Sequence, residues 1–125
     1  FPYTTLFRSG AIVARFGAQP GGARLDGIEI AGAEGDSVRA AADGEVVYAG
    51  ADVPAYGTLV LIRHAENYVT AYAFNRRALV RVGDDVRAGY PVAELAPRPG
   101  GGARLLFQVR QGATAVDPAP LLGLR

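Results

Sequence analysis

Apolar and polar residues alternate with a period of two over several stretches of the chain, and these stretches predict its strands. Across residues 104–110, Leu105, Phe107 and Val109 fall on one face and Arg104, Leu106, Gln108 and Arg110 on the other. Leu106 is the exception, an apolar residue on an otherwise polar face. Residues 58–64 are β-branched and leucine-rich, Ala65-Glu66-Asn67 supplies turn chemistry, and residues 68–74 alternate back, which predicts an antiparallel pair at the centre of a sheet. Residues 91–95 form a further strand, and Ile12-Val13-Ala14 an edge strand. Within residues 27–50 a short strand, a polar turn, a second apolar edge, an Asp43-Gly44 turn and a third strand follow one another, so this stretch is expected to fold as β-hairpins.

Glycine and proline mark the connections. Residues 17–22 hold Gly17, Pro20, Gly21 and Gly22 and read as a loop, and residues 51–56 read as a surface loop around Pro54. Residues 75–80 lead into a turn at Val82-Gly83-Asp84-Asp85, Ala88-Gly89 makes another, and Asp117-Pro118 starts a closing turn after which Leu121-Leu122 packs the tail. Residues 97–102, with Pro97, Pro99 and three glycines, read as a mobile loop of the kind that borders binding sites. No segment supports a helix of three turns. The class is all-β, with short strands at turn-bounded spacing.

Length and composition narrow the function. At 125 residues the chain is one domain, able to bury about two thirds of its unfolded surface without staples. All 13 basic residues are Arg and the net charge is +1; apart from Arg76-Arg77 they are scattered singly, so no stripe tracks a phosphate backbone and nucleic acid is not an expected partner. There is no Cys, hence neither disulfide nor thiolate metal site. The apolar runs fall far short of the ~20 residues of a membrane-spanning helix. Residues 1–9 match no strand pattern and read as a foreign or poorly ordered lead-in, and the absence of a signal sequence suggests a fragment of a longer secreted protein.

Candidate chemistry is sparse. Ser9 and Ser37 offer the only serine hydroxyls and nothing places the single histidine, His64, beside either, so a hydrolytic triad has no support. The glycine runs lack a P-loop lysine. Asp84-Asp85 and Glu34 with Asp36 read as solvated turns. Residues 82–95, V-G-D-D-V-R-A-G-Y-P-V-A-E-L, look like the closing half of a biotinyl or lipoyl carrier barrel, but a chain without any Lys cannot be such a carrier.

Residues 27–50, together with Tyr56-Gly57, Ala71-Tyr72-Ala73, Val82-Gly83-Asp84, Val86-Arg87-Ala88-Gly89 and residues 105–110, resemble a LytM (lysostaphin-type) domain over residues 10–125. The resemblance implies an antiparallel sandwich and barrel-like hybrid with long loops framing a groove. Active members are zinc peptidases with three short motifs. Where they carry His-x-Gly-x-Asp this chain reads Leu25-Asp26-Gly27-Ile28-Glu29; where a His follows Tyr-Ala it has Tyr72-Ala73-Phe74; where they carry His-x-His it has Arg104-Leu105-Leu106. Leu and Phe offer no lone pair, and Glu29, even with Asp26, is a poor remnant of a three-ligand zinc site. His64 matches a non-ligand histidine of the family. The resemblance therefore implies no cofactor and no peptidase activity, and it is nearest the degenerate EnvC and NlpD type: periplasmic, non-catalytic activators of N-acetylmuramoyl-L-alanine amidases in cell separation. The expected partner is the amidase's regulatory helix, lying in an emptied groove of Leu25, Glu29, Phe74, Asn75, Arg104 and Leu106 with Tyr56 and Tyr72 as walls. An apolar trough with Arg at its edge suits the apolar face of an amphipathic helix. The alternative is a passive module binding peptidoglycan along the same cleft.

Overall fold

The computed structural model describes residues 11–121. The expected lead-in at 1–9 and the side-chain packing of Leu121 and Leu122 lie outside the described residues. The elements are β1 (Ile12–Ala14), β2 (Gly17–Ala18), β3 (Arg24–Leu25), β4 (Ile28–Gly32), β5 (Ser37–Arg39), β6 (Gly44–Gly50), β7 (Thr58–Arg63), β8 (Tyr68–Ala78), β9 (Asp85–Val86), β10 (Pro91–Leu95), β11 (Ala103–Gln111), β12 (Thr114–Val116) and a single helical turn, α1 (Pro118–Leu121). No helix among the described residues is long and apolar enough to cross a membrane.

The main sheet runs β1-β4-β11-β8-β7-β6-β9, all antiparallel, with β7 and β8 joined by the short turn at 65–67 as the alternation predicts. β12 pairs with β11, while β10 joins β8 and β5. The expected hairpins within 27–50 do not form. β4 pairs with β1 and β11, β5 with β10, and β6 with β7 and β9, so each strand of that stretch finds a partner distant in sequence. The turns between these strands redirect the chain instead of folding it back: Asp36 Oδ2 accepts from Ala33 N at 2.9 Å while Gly35 N donates to Leu95 O at 3.0 Å, tying the turn to β10. Residues 17–22 also differ from a plain loop, because Gly17 and Ala18 pair with Leu25 and Arg24.

β8 is longer than its alternation suggests. Its first half is bonded to β7 and β11, and beyond Phe74 it changes partner to β10. Phe74 makes the switch with φ at 71°, a left-handed backbone that a bulky residue adopts only at a cost of order 1 kcal/mol or more. The switch brings β10 and β5 over one face of the central strands, and the core lies between: Ile28, Val46, Val60, Ile62, Tyr72, Leu105, Phe107 and Val109 meet Val38, Val92 and Leu95 there. At Gly27 a side chain would overlap the Phe107 carbonyl, so only glycine lets the entry to β4 lie against β11.

One polar chain crosses this core. His64 Nδ1 contacts Asp43 O at 2.6 Å and its Nε2 contacts Thr70 Oγ1 at 2.7 Å; Thr70 Oγ1 lies 2.8 Å from Tyr72 Oη, which accepts from Ala41 N at 2.9 Å. A carbonyl can only accept, so Nδ1 carries the proton of a neutral imidazole, Thr70 donates to Nε2, and Tyr72 donates to Thr70. Burial pushes the Tyr72 phenol up to about 12.

Candidate functional site: an apolar trough on the outer sheet face

The outer face of β7, β8 and β11 is also apolar. Pairing sets Leu106 beside Ala73, Gln108 beside Ala71 and Arg110 beside Val69, and on the other flank Leu61 beside Ala71. These residues share one phase of the pleat, opposite Tyr72 and Phe107. Leu59, Ala71, Ala73 and Leu106 form a small buried cluster, against which Leu25, Tyr48, Tyr56, Leu61 and Phe74 pack half-buried.

Between the larger side chains lies a hollow of about 190 Å³, lined by Tyr56, Leu59, Leu61, Val69, Ala71, Ala73, Gln108 and Arg110. Alanines on the central strand keep its floor low, while the leucines and Tyr56, the last carried on the 3₁₀ turn Pro54–Tyr56, raise its sides. Gln108 is buried although it sits where a polar outer face was expected. Its Oε1 accepts from Arg110 Nε at 3.3 Å and Nη2 at 3.1 Å, which fixes the guanidinium at the rim without neutralising it. No carboxylate lies within ion-pair distance of Arg110 among the described residues.

The structure divides the residues expected from the resemblance. Leu25, Tyr56, Phe74 and Leu106 do meet in one apolar cluster. Glu29 and Arg104 lie next to it and pair with each other, Nη1 to Oε1 at 3.2 Å, so Arg104 is not the unpaired cation of the groove. Tyr72 is no wall: period two puts it on the inner face, fully buried, beside Phe107 with ring centroids 5.5 Å apart. Asn75 is also off the trough. It is buried just past the left-handed Phe74, where Nδ2 donates to Tyr72 O at 2.8 Å and Thr58 O at 3.2 Å. What sequence reasoning missed is most of the lining, Leu59, Leu61, Val69, Ala71 and Ala73, together with Arg110. The signal was available: residues 58–62 and 69–73 are apolar in both phases of the pleat, which a strand with one wet face is not.

The positions that the resemblance aligns with zinc ligands do not fit the ion. Leu25, Phe74 and Leu106 present hydrocarbon, Arg104 a cation, and the one carboxylate, Glu29, is engaged by that cation. Asp26 faces Arg24 at 3.8 Å. No group of three or more His, Cys, Asp or Glu among the described residues is placed to hold a metal. His64 is buried with both ring nitrogens engaged and does not line the trough.

Comparison with known proteins fits this geometry. The family model described as Peptidase family M23 matches residues 23–118. The chain is 43% identical over 117 residues to a lipoprotein NlpD/LppB homolog of Pseudomonas aeruginosa, covering 94% of this chain and 39% of that protein. To the murein hydrolase activator NlpD of Escherichia coli it is 40% identical over 116 residues, 93% of this chain and 30% of the relative. It therefore spans well under half the length of these relatives. Among solved structures, lysostaphin of Staphylococcus simulans superposes with a TM-score of 0.83 at 23% identity over 95% of this chain and 55% of that one. A SpoIIIAH and SpoIIQ complex chain gives 0.82 at 20% identity over 95% and 99%. At these identities the structures establish the fold alone. With the matched model covering most of its length and its strands arranged as in lysostaphin, the chain belongs to peptidase family M23.

Proposed function

We propose that this domain is a non-catalytic regulator of cell-wall hydrolysis, which binds an N-acetylmuramoyl-L-alanine amidase in the cell envelope and activates it by holding an amphipathic helix in the outer-face trough. The observation that carries this reading is the trough: an apolar hollow among the half-buried side chains of Tyr56, Leu61 and Val69 on the outer sheet face, with Arg110 at its rim and no carboxylate paired to it among the described residues. Three adjacent strands span about 10 Å, the diameter of a helix, and the run from Leu106 to Arg110 is about 13 Å long, enough to seat apolar residues at i, i+3, i+4 and i+7. Alanines in the floor let a helix approach closely, and Arg110 offers a charge-assisted bond to a carboxylate beside the apolar stripe. The periplasmic setting and the regulatory role agree with relatives named murein hydrolase activators and lipoproteins. Hydrocarbon at the positions that the resemblance aligns with zinc ligands supports a role without peptidase chemistry.

The test adds the domain to a latent amidase with dye-labelled sacculi. Release should rise with the wild-type domain and stay at background with Leu61→Asp or Arg110→Glu, both at half-buried positions where folding is retained. No rise with the wild type, or an equal rise with all three proteins, would end the proposal. Pelleting with sacculi in the absence of any amidase separates this reading from a passive peptidoglycan-binding module.

A further inference from the structure

The apolar surface of the trough continues to Phe74, which packs against Leu59, Ala71, Ala73 and Leu106, three of them part of the trough lining. The loop expected to be mobile is a hydrogen-bonded turn, with Arg98 N donating to Gly102 O at 2.9 Å and Gly101 N to Arg98 O at 3.0 Å, and it sets the Arg98 guanidinium 5.1 Å from the Phe74 ring centre. Arg98 is thus held at the Phe74 end of the face, as Arg110 is held by Gln108 at the Val69 end. Neither has a carboxylate within ion-pair distance among the described residues. By contrast Arg104, two residues from Leu106 on the same strand, and Arg63, set opposite Val69, are matched by Glu29 and Glu45. No Asp or Glu lines the trough or the hollow beside Phe74 among the described residues.

An apolar strip with an unmatched cation at each end favours a partner of complementary order: anion, hydrocarbon, anion. Spacing makes this specific. Along β8, Val69 and Phe74 are about 16 Å apart at a rise of about 3.3 Å per residue. An α-helix covers that distance in about eleven residues, and eleven residues are three turns, which return a side chain to within about 20° of the same stripe. We propose that Arg98 and Arg110 together select and register the docked helix, whose segment carries carboxylates at i and i+11 with apolar residues at i+3, i+4, i+7 and i+8 between them. The pairing rests on the helix reading proposed above, and adds to it the charge pattern of the partner and a specificity role for Arg98. One carboxylate meets the N–H edge of Arg98 while the guanidinium stays on the Phe74 ring. The other meets Arg110, whose Nε and Nη2 remain on Gln108 and whose Nη1 is left for the ligand.

The probes are dye-labelled helical peptides of about 20 residues on an alanine and glutamine background, read by fluorescence anisotropy against the domain. One has Glu at i and i+11 around the four apolar residues; others replace either Glu by Gln, or move the second Glu to i+9, on the opposite side of the helix. Each Glu→Gln change should weaken binding about fivefold, the i+9 peptide should behave as if that Glu were absent, and high salt should narrow the differences. In double-mutant cycles one Glu should couple to Arg98→Ala and the other to Arg110→Ala, so that with the arginine gone the matching Glu→Gln change has no further effect. An Arg98 that served folding alone would weaken all peptides equally, and circular dichroism verifies the fold of each variant. Equal affinity of the Glu, Gln and i+9 peptides, coupling of both Glu to Arg110 alone, or no binding by any peptide overturns the inference. Dye release decides amidase activation by itself, so the two failures are read separately.

Discussion

The strands β7, β8 and β11 carry two apolar faces with opposite fates. On the inner face Val60, Ile62, Tyr72, Leu105, Phe107 and Val109 are fully buried because the β5–β10 pair closes over them. On the outer face Leu59, Ala71, Ala73 and Leu106 shelter only among their own neighbours, and Leu61 and Val69 stay half-exposed beside an open hollow. Composition does not tell the faces apart; what lies above them does. An apolar hollow left among half-exposed side chains on a sheet face is the kind of surface that can take a partner.

If the inner face is core and the outer face is contact surface, equivalent truncations should act on different observables. Phe107→Ala should lose about 3–5 kcal/mol of stability by urea unfolding, the range for emptying a packed aromatic site. Tyr72→Phe should be next. It removes only an oxygen, but leaves the Ala41 N–H and the Thr70 hydroxyl short of a partner inside the core, so about 1–3 kcal/mol is expected from the same measurement. Leu61→Asp, one strand away on the other face, should shift stability by about 1 kcal/mol or less while removing amidase activation. A Leu61→Asp domain as unstable as Phe107→Ala would erase the distinction between the faces.

Much of the inner layer was legible. The strands at 58–64, 68–74, 91–95 and 104–110 follow from alternation because one face of each is closed by protein, and burial enforces period two. Pairing was less legible. The 27–50 stretch has hairpin-like turns, yet each of its strands is claimed by a strand far along the chain, since the apolar faces of β4, β5 and β6 are satisfied only by different neighbours. Tyr72 shows a different failure: its parity with Ala71 and Ala73 already excluded it from the outer face, and the motif resemblance pointed the wrong way. Leu25, Phe74 and Leu106 could be placed by motif because the resemblance aligns them with positions that share one site. Arg110 and Arg98 could not, since being unpaired is a property of what surrounds a group in space.

The smallest effect sharpens the comparison from inside the core. Burial holds the His64 pKa below its ordinary 6.5, against the Asp43 carbonyl contact and then the Asp43 charge, both of which raise it. Geometry explains why burial prevails. A proton on Nε2 would force Thr70 to accept there and donate to Tyr72, leaving the phenolic hydrogen of Tyr72 with no acceptor in the chain of bonds. The sign follows: on acidification the unfolded chain takes up the proton first, so stability is full above 6.5, declines as pH falls through 6.5 towards the lower folded value, and levels off below that. Urea unfolding between about pH 8 and pH 5, above the range where carboxylates titrate, should show this decline in the wild type and a flatter profile in His64→Gln. The trough holds no titratable group of that range, so binding of the amidase helix, measured where the fold is fully populated, should show no step near the same pH. A step in binding that disappears with His64→Gln would mean that the inner network reaches the outer face, and that the two faces do not act independently.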